Sequence, residues 1–248
     1  MMKKFLTFLA LAAVVCFVSC NKNDDEDEEQ GREAEKGLAI DINGDFGDWA
    51  ALKPDIVASA KNNPNSPWDA VKEIRCCADK NFVFYYIKFD SSVLKEQLEN
   101  GEALPIRLCI NTDGEFTTGY ASYFLEAYDF IIEGALADGA GAWTDYDGTL
   151  HQRVYLPEKE KDGWLSLLEP GNKLVAGKGA GSEYEIRLAR EIFNNAVPAG
   201  HKMGDVFQTG IRFYGNGGWG ELSNMPNASV EEGEGNGWGH MLTVTTAK

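Results

Sequence analysis

The chain is poor in the residues that carry most metal and nucleophile chemistry. It holds five cysteines and three histidines in 248 residues. The histidines, His151, His201 and His240, are scattered, and no cysteine falls at a zinc-site spacing. Basic residues are also scarce, 23 Lys and Arg against 39 Asp and Glu, for a net charge of −16 with no basic patch. That balance argues against nucleic acid or anionic lipid as a partner, since both would be repelled. No Gly-x-Ser-x-Gly elbow, phosphate loop or His-Glu-x-x-His helix occurs, so no catalytic residue is assigned. Long amphipathic helices are missing, which removes the cover a parallel sheet needs.

What is present begins with Lys3-Lys4, an apolar run from Phe5 to Val18, and Ser19-Cys20. A basic start, a short apolar core and small residues at the exit describe a secretory signal, too short to span a bilayer comfortably. Phe17-Val18-Ser19-Cys20 resembles the lipobox of bacterial lipoproteins, with Phe17 where that family usually has Leu. The resemblance implies cleavage before Cys20 and acylation of Cys20, an anchor of several chains at about 0.8 kcal/mol per buried CH2. An ordinary secreted protein with an incidental Cys is the plain alternative. Residues 21–36 then carry eight acidic and three basic side chains. Such a segment buries nothing and repels itself, so it reads as an extended tether. It is similar to the acidic export signal of some surface lipoproteins, which implies the outer membrane with the body facing the cell exterior. A solvated spacer with no address in it is the simpler account.

The domain organisation expected is therefore a signal over 1–19, a lipidated Cys20 and acidic tether over 20–36, and one β-sandwich domain over 37–248. The chain's −16, less the +2 of the signal and the −5 of the tether, leaves −13 on this body. An acidic body suits a neutral ligand or a cation. Three cysteines remain in it, Cys76, Cys77 and Cys109. Cys76 and Cys77 on one strand would point to opposite faces, so buried free thiols are expected, with a bridge from Cys109 to one of them as the alternative.

Periodicity gives mostly strands: 38–42, 71–78, 82–89, 106–110, 128–133, 151–156, 173–176, 183–188, 207–214 and 240–245. Residues 71–89, turning through Ala78-Asp79-Lys80-Asn81, read as a hairpin. Short helices are expected at 91–98, with Ser91 as N-cap, and at 189–194. Turn signals every ten or so residues and 27 glycines predict an all-β, antiparallel, jelly-roll-like sandwich with one or two short helices.

Asp41-Ile42-Asn43-Gly44-Asp45-Phe46-Gly47-Asp48-Trp49 is the most distinctive stretch, a turn through Gly, a helical turn begun by Asp, and an indole expected in the core. It resembles the opening of family-nine carbohydrate-binding modules and the related DOMON-type domains, with Asn43 where that family usually has Asp. Asn111-Thr112-Asp113, Thr118-Gly119-Tyr120, the strand at 128–134 and Glu183 to Leu188 continue the resemblance over most of the body. Asn111 in place of an Asp and the insertion over 137–181 depart from it. The resemblance implies a sandwich whose relatives bind glycans or, in the DOMON branch, haem or sugar. Haem would need an axial pair, and His201 and Met203 offer only the residue types.

Trp143, Trp164, Trp219 and Trp238 sit in Gly-rich or polar surroundings, and the last two form a near repeat, Asn216-Gly217-Gly218-Trp219-Gly220 and Asn236-Gly237-Trp238-Gly239. Flanking glycines favour loops, where an indole face can lie against the C–H face of a pyranose while Asn216 and Asn236 bond its hydroxyls. Capping of the core is the competing role of such side chains. Arg212 and Tyr214 alternate with Ile211 and Phe213, so one pair faces the core and the other lies opposite, where Arg212 would offer a donor fork or form an ion pair. Asn111, Asp113 and Glu115 place oxygens at alternate positions suited to calcium, although turn chemistry alone explains Asp and Gly there. No other cofactor is implied. The leading reading is a surface lipoprotein that binds glycan without catalysis. An interaction subunit for an outer-membrane or enzyme partner is the second, and a carbohydrate-active enzyme with a carboxylate pair the third.

Overall fold

The computed structural model describes residues 37–66, 69–120, 127–144, 151–155, 164–168, 172–215, 220–227 and 241–248; for 151–155 and 164–166 it describes the backbone. The chain divides into two units, Met1–Ala34 and Glu35–Lys248, and every described residue belongs to the second. The signal, Cys20 and the acidic tether lie outside the described residues.

The aromatic and β-branched run forms β3 (Phe82–Phe89), which pairs antiparallel with β2 (Val71–Ala78) as the hairpin predicted. Before them come α1 (Gly47–Ala51) and β1 (Ala58–Lys61), and after them α2 (Ser91–Glu99) and β4 (Pro105–Asn111). Next follow β5 (Phe130–Ala135), β6 (His151–Tyr155), β7 (Trp164–Ser166), β8 (Val175–Ala180), β9 (Glu183–Ala189) and α3 (Arg190–Ala196). The described chain closes with β10 (Val206–Gly215), β11 (Gly220–Met225) and β12 (Leu242–Thr245). Two antiparallel sheets result: five strands ordered β1-β2-β3-β9-β8, and seven ordered β11-β10-β4-β5-β6-β7 with β12 also on β10. The all-β antiparallel sandwich is therefore as expected. Among the described residues no helix is long and apolar enough to cross a membrane.

The strand period distributes the side chains of β3 between two apolar layers. Val83, Tyr85, Ile87 and Phe89 point into the core between the sheets, with Phe130, Ile132, Ile211 and Phe213 of the facing sheet. Phe84 and Tyr86 point the other way, into a second cluster with Ile40, Trp49 and Cys77, flanked by Leu38, Ile42, Phe46 and Leu52. Segment 37–57 thus lies over the outer face of the five-stranded sheet. Residues 38–42, expected as a strand, join none: the segment supplies side chains to a sheet face, and Ile40 N–H turns back to the Leu38 carbonyl. Cys76 and Cys77 fall into the two different clusters, and all three body cysteines are free and buried. Burial pushes the Cys77 thiol up to about 12.

One carboxylate holds this cover in place. Glu185 of β9, 0% exposed, accepts hydrogen bonds from the Asn43 and Gly44 backbone N–H groups, both at 2.8 Å, and from Trp49 Nε1–H at 3.4 Å. Gly44 has φ +81°, and a Cβ there would press on Lys178 at 3.2 Å, so the Gly of the motif is required by conformation. Trp49, 3% exposed, sits 5.7 Å from the Tyr86 ring, buried as its sequence setting suggested. Desolvation raises the Glu185 pKa, and the three N–H donors oppose that rise.

The described chain starts at one end of the sandwich. Leu38 N–H donates to Asp79 Oδ2 at 2.9 Å in the β2–β3 turn. Ala247 N–H donates to the Ala78 carbonyl at 2.7 Å, so the carboxyl-terminal residues lie at the same end. Buried Arg190 bolts this end together, donating through Nη1 to the Asp79 carbonyl (2.6 Å) and Thr246 Oγ1 (2.9 Å) and through Nη2 to the Gly204 carbonyl (2.6 Å). The opposite end, about 23 Å away for an eight-residue strand, is reached where β3 finishes at Phe89.

Removing the Glu185 carboxylate by Glu185→Ala strands three donors and should lower stability by about 2 kcal/mol in urea unfolding. A change within about 0.5 kcal/mol would show that the cover does not depend on it.

Candidate functional site

On β10, Ile211 and Phe213 face the core, and Arg212 and Tyr214 lie opposite. The alternation is as expected, but both residues are buried, Arg212 at 5% and Tyr214 at 6% exposure. Register places Asn224, Arg212, Arg107 and Glu133 in one row across β11, β10, β4 and β5. Arg107 Nε donates to Glu133 Oε1 at 2.6 Å and its Nη1 to the Tyr214 hydroxyl at 3.2 Å, with Cζ 5.2 Å from the Tyr214 ring centre. The Arg212 guanidinium lies 5.7 Å from the Tyr128 ring centre. Burial pushes the Tyr214 hydroxyl up to about 12 against the lowering effect of both arginines. This row is a polar layer, buried at Arg212 and Asn224 and half-buried at Arg107 and Glu133, and Arg212 does not present its guanidinium fork to solvent.

Following β10 to its end leads to α2. A Cβ on Gly215 would come within 2.3 Å of Gln97 Oε1 and 2.7 Å of Leu222 Cδ1, so strand and helix are pressed together there. Gly215 pairs with Gly220. The four residues between them include Asn216 and Trp219, which lie outside the described residues, as do Asn236 and Trp238. Trp164 opens β7 opposite Tyr155, and only its backbone is described. The N-cap of α2 is Asp90, where the sequence suggested Ser91: Asp90 Oδ1 accepts from Ser92 N–H (2.9 Å) and Val93 N–H (3.1 Å). An acidic side chain suits the positive end of the helix better than a hydroxyl. Hydrogen bonds from the Ser92 side chain and the Val93 backbone hold its carboxyl well below the usual range.

Trp143, expected as a sugar platform, is a half-buried wedge. Its ring packs 5.6 Å from Phe89 and 5.2 Å from Tyr184, and a Cβ on Gly179 would stand 2.7 Å from it. Its indole N–H donates to the Gly181 carbonyl at 3.2 Å, which fixes the β8–β9 turn. Beside that turn runs an open groove of about 690 Å³, walled by α2, residues 140–141 and residues 181–182. Sequence reasoning found the helix and missed the groove. Its signal was the run Asp138-Gly139-Ala140-Gly141, whose glycines take φ +73° and +90°.

The proposed metal turn is built on its own hydrogen bonds. Asn111, fully buried, donates through Nδ2 to the Ala127 carbonyl (2.8 Å) and accepts at Oδ1 from Gly114 N–H (2.7 Å). Asp113 Oδ1 accepts from Glu115 N–H at 2.8 Å and Oδ2 from Thr118 Oγ1 at 3.0 Å. The Glu115 side chain is exposed. Among the described residues no group of three or more His, Cys, Asp or Glu is arranged to hold a metal ion. The turn lies at the Asp79 end, since Asn111 pairs with Gln208 near the start of β10.

If Trp143 is packing, Trp143→Ala should cost about 3 kcal/mol in urea unfolding; unchanged stability would return it to the ligand face. In comparisons with family models, curated proteins and solved structures, nothing matches the chain.

Proposed function

We propose that the protein is a lipid-anchored, exterior-facing lipoprotein of the outer membrane that captures a neutral glycan without catalysis. Cys20 carries the anchor and residues 21–36 the tether in this reading, and Trp219 and Trp238 supply apolar faces to sugar rings while neighbouring amides bond hydroxyls. One observation supports it above the rest. The described chain starts at the Asp79 end, whereas the groove and the strand ends on either side of the Trp219 segment lie at the Phe89 end. The candidate surface thus lies at the end of the sandwich remote from the first described residues. Capture by stacking also agrees with the net −13 of the body, which disfavours anionic partners.

The full chain with Trp219→Ala and Trp238→Ala should lose retention in affinity gels containing the bound polysaccharide, with the melting temperature within about 2 °C of the parent. Retention that survives both changes, or a blank glycan array beside a recovered membrane protein, would replace glycan capture with a docking role. Release of reducing sugar from any polysaccharide would replace it with catalysis.

A further inference from the structure

The groove at the Phe89 end has a lining chemistry that selects a class of ligand. Its volume of about 690 Å³ falls within the usual range for small-molecule sites. On one wall, Leu98 of α2 offers a partly exposed apolar side chain, with Leu94 one helical turn before it packed into the core and only its edge at the groove floor. The other wall is made of residues with little or no side chain, Ala140, Gly141 and Gly181, so peptide groups stand close to the opening. Ser91 and Ser182 add hydroxyls. The charged residues of the rim, Lys95 and Glu99, bridge each other at 3.6 Å and are largely exposed, which leaves the groove without net charge.

The walls are fixed before any ligand arrives. Asp138 Oδ1 accepts from Ala140 N–H at 2.7 Å and Ala142 N–H at 3.2 Å, closing the turn that carries Ala140 and Gly141. A Cβ on Gly101 would lie 3.0 Å from the Gly139 carbonyl oxygen, so the end of α2 and this turn meet backbone to backbone. Trp143 holds Gly181, and Phe89 N–H donates to the Ser182 carbonyl at 2.9 Å. A preformed cleft loses little ordering entropy on binding.

We propose that this groove seats a neutral oligosaccharide, its C–H face on Leu98 and its hydroxyls on the serines and the exposed peptide groups. The proposal rests on the glycan-binding reading above and adds to Trp219 and Trp238 a further contact surface and a charge class. A charged sugar would lack a counter-ion there and would meet the negative field of the body.

The test titrates the full chain, in detergent, with neutral oligosaccharides of glucose, xylose and mannose and with sulfated and uronic-acid oligosaccharides. Ala140→Trp and Ser182→Trp each fill the groove from a different wall, and circular dichroism checks that each is folded. The expected result is binding of at least one neutral series, weakened tenfold or more by either folded variant. Neutral binding that both folded variants retain at full strength overturns the location and leaves the glycan reading standing. Preference for the anionic series overturns the charge class. A parent chain that binds none of these sugars overturns the location and the glycan reading together.

Discussion

A sheet that is apolar on both faces has to be covered twice, and this constraint organises the molecule. β3 offers Val83, Tyr85, Ile87 and Phe89 to one side and Phe84 and Tyr86 to the other. The seven-stranded sheet takes the first set. The second is covered by residues 37–57, which have no strand partners of their own and are held through Glu185, a buried carboxylate with three N–H donors. Taking a carboxylate out of water is costly, and only full hydrogen bonding makes it tolerable. The Asn-Gly-x-x-x-x-Trp spacing brings two backbone N–H groups and an indole N–H to the same carboxylate.

That cover also begins at a defined end of the sandwich. Because segment 37–57 begins against Asp79, the Asp79 end gathers the start of the described chain, the carboxyl-terminal residues and the buried Arg190 that joins them. The Phe89 end is built instead from α2, two glycine-bearing turns and the close of β10. Small residues there leave an opening where larger ones would have closed the core. A rigid sandwich with irregular segments at one end is a common way for a fold to carry binding.

Much of the fold was legible because strand period and turn chemistry act locally. The β2–β3 hairpin, β4, β9, β10 and the two-faced placement of Cys76 and Cys77 follow from alternation alone. β1 and β11 were not found, since Ala58-Ser59-Ala60-Lys61 and Gly220-Glu221-Leu222-Ser223-Asn224-Met225 hold few β-branched or aromatic residues and owe their strands to pairing with β2 and β10. The apolar residues at 38–42 pointed to a strand because a face-covering segment and an edge strand share the same pattern. Trp143 shows the limit for the site. Its Gly-rich neighbours suggested exposure, yet the indole packs against Phe89 and Tyr184, and a glycine distant in the chain, Gly179, lets the backbone approach it. The groove left only the Gly139–Gly141 turn as a trace in one dimension, because it forms where three segments far apart in the chain meet.

The central proposal is that ligand is met at the Phe89 end of the sandwich and not at the Asp79 end. Hydrogen–deuterium exchange on the full chain, with and without a neutral oligosaccharide mixture, reads both ends at once. The account predicts added protection in Ser91–Glu99, in residues 138–142 and in residues 181–182, with none in residues 111–118 or 199–205. Protection concentrated in those last two segments, or absent throughout at saturating sugar, would contradict it.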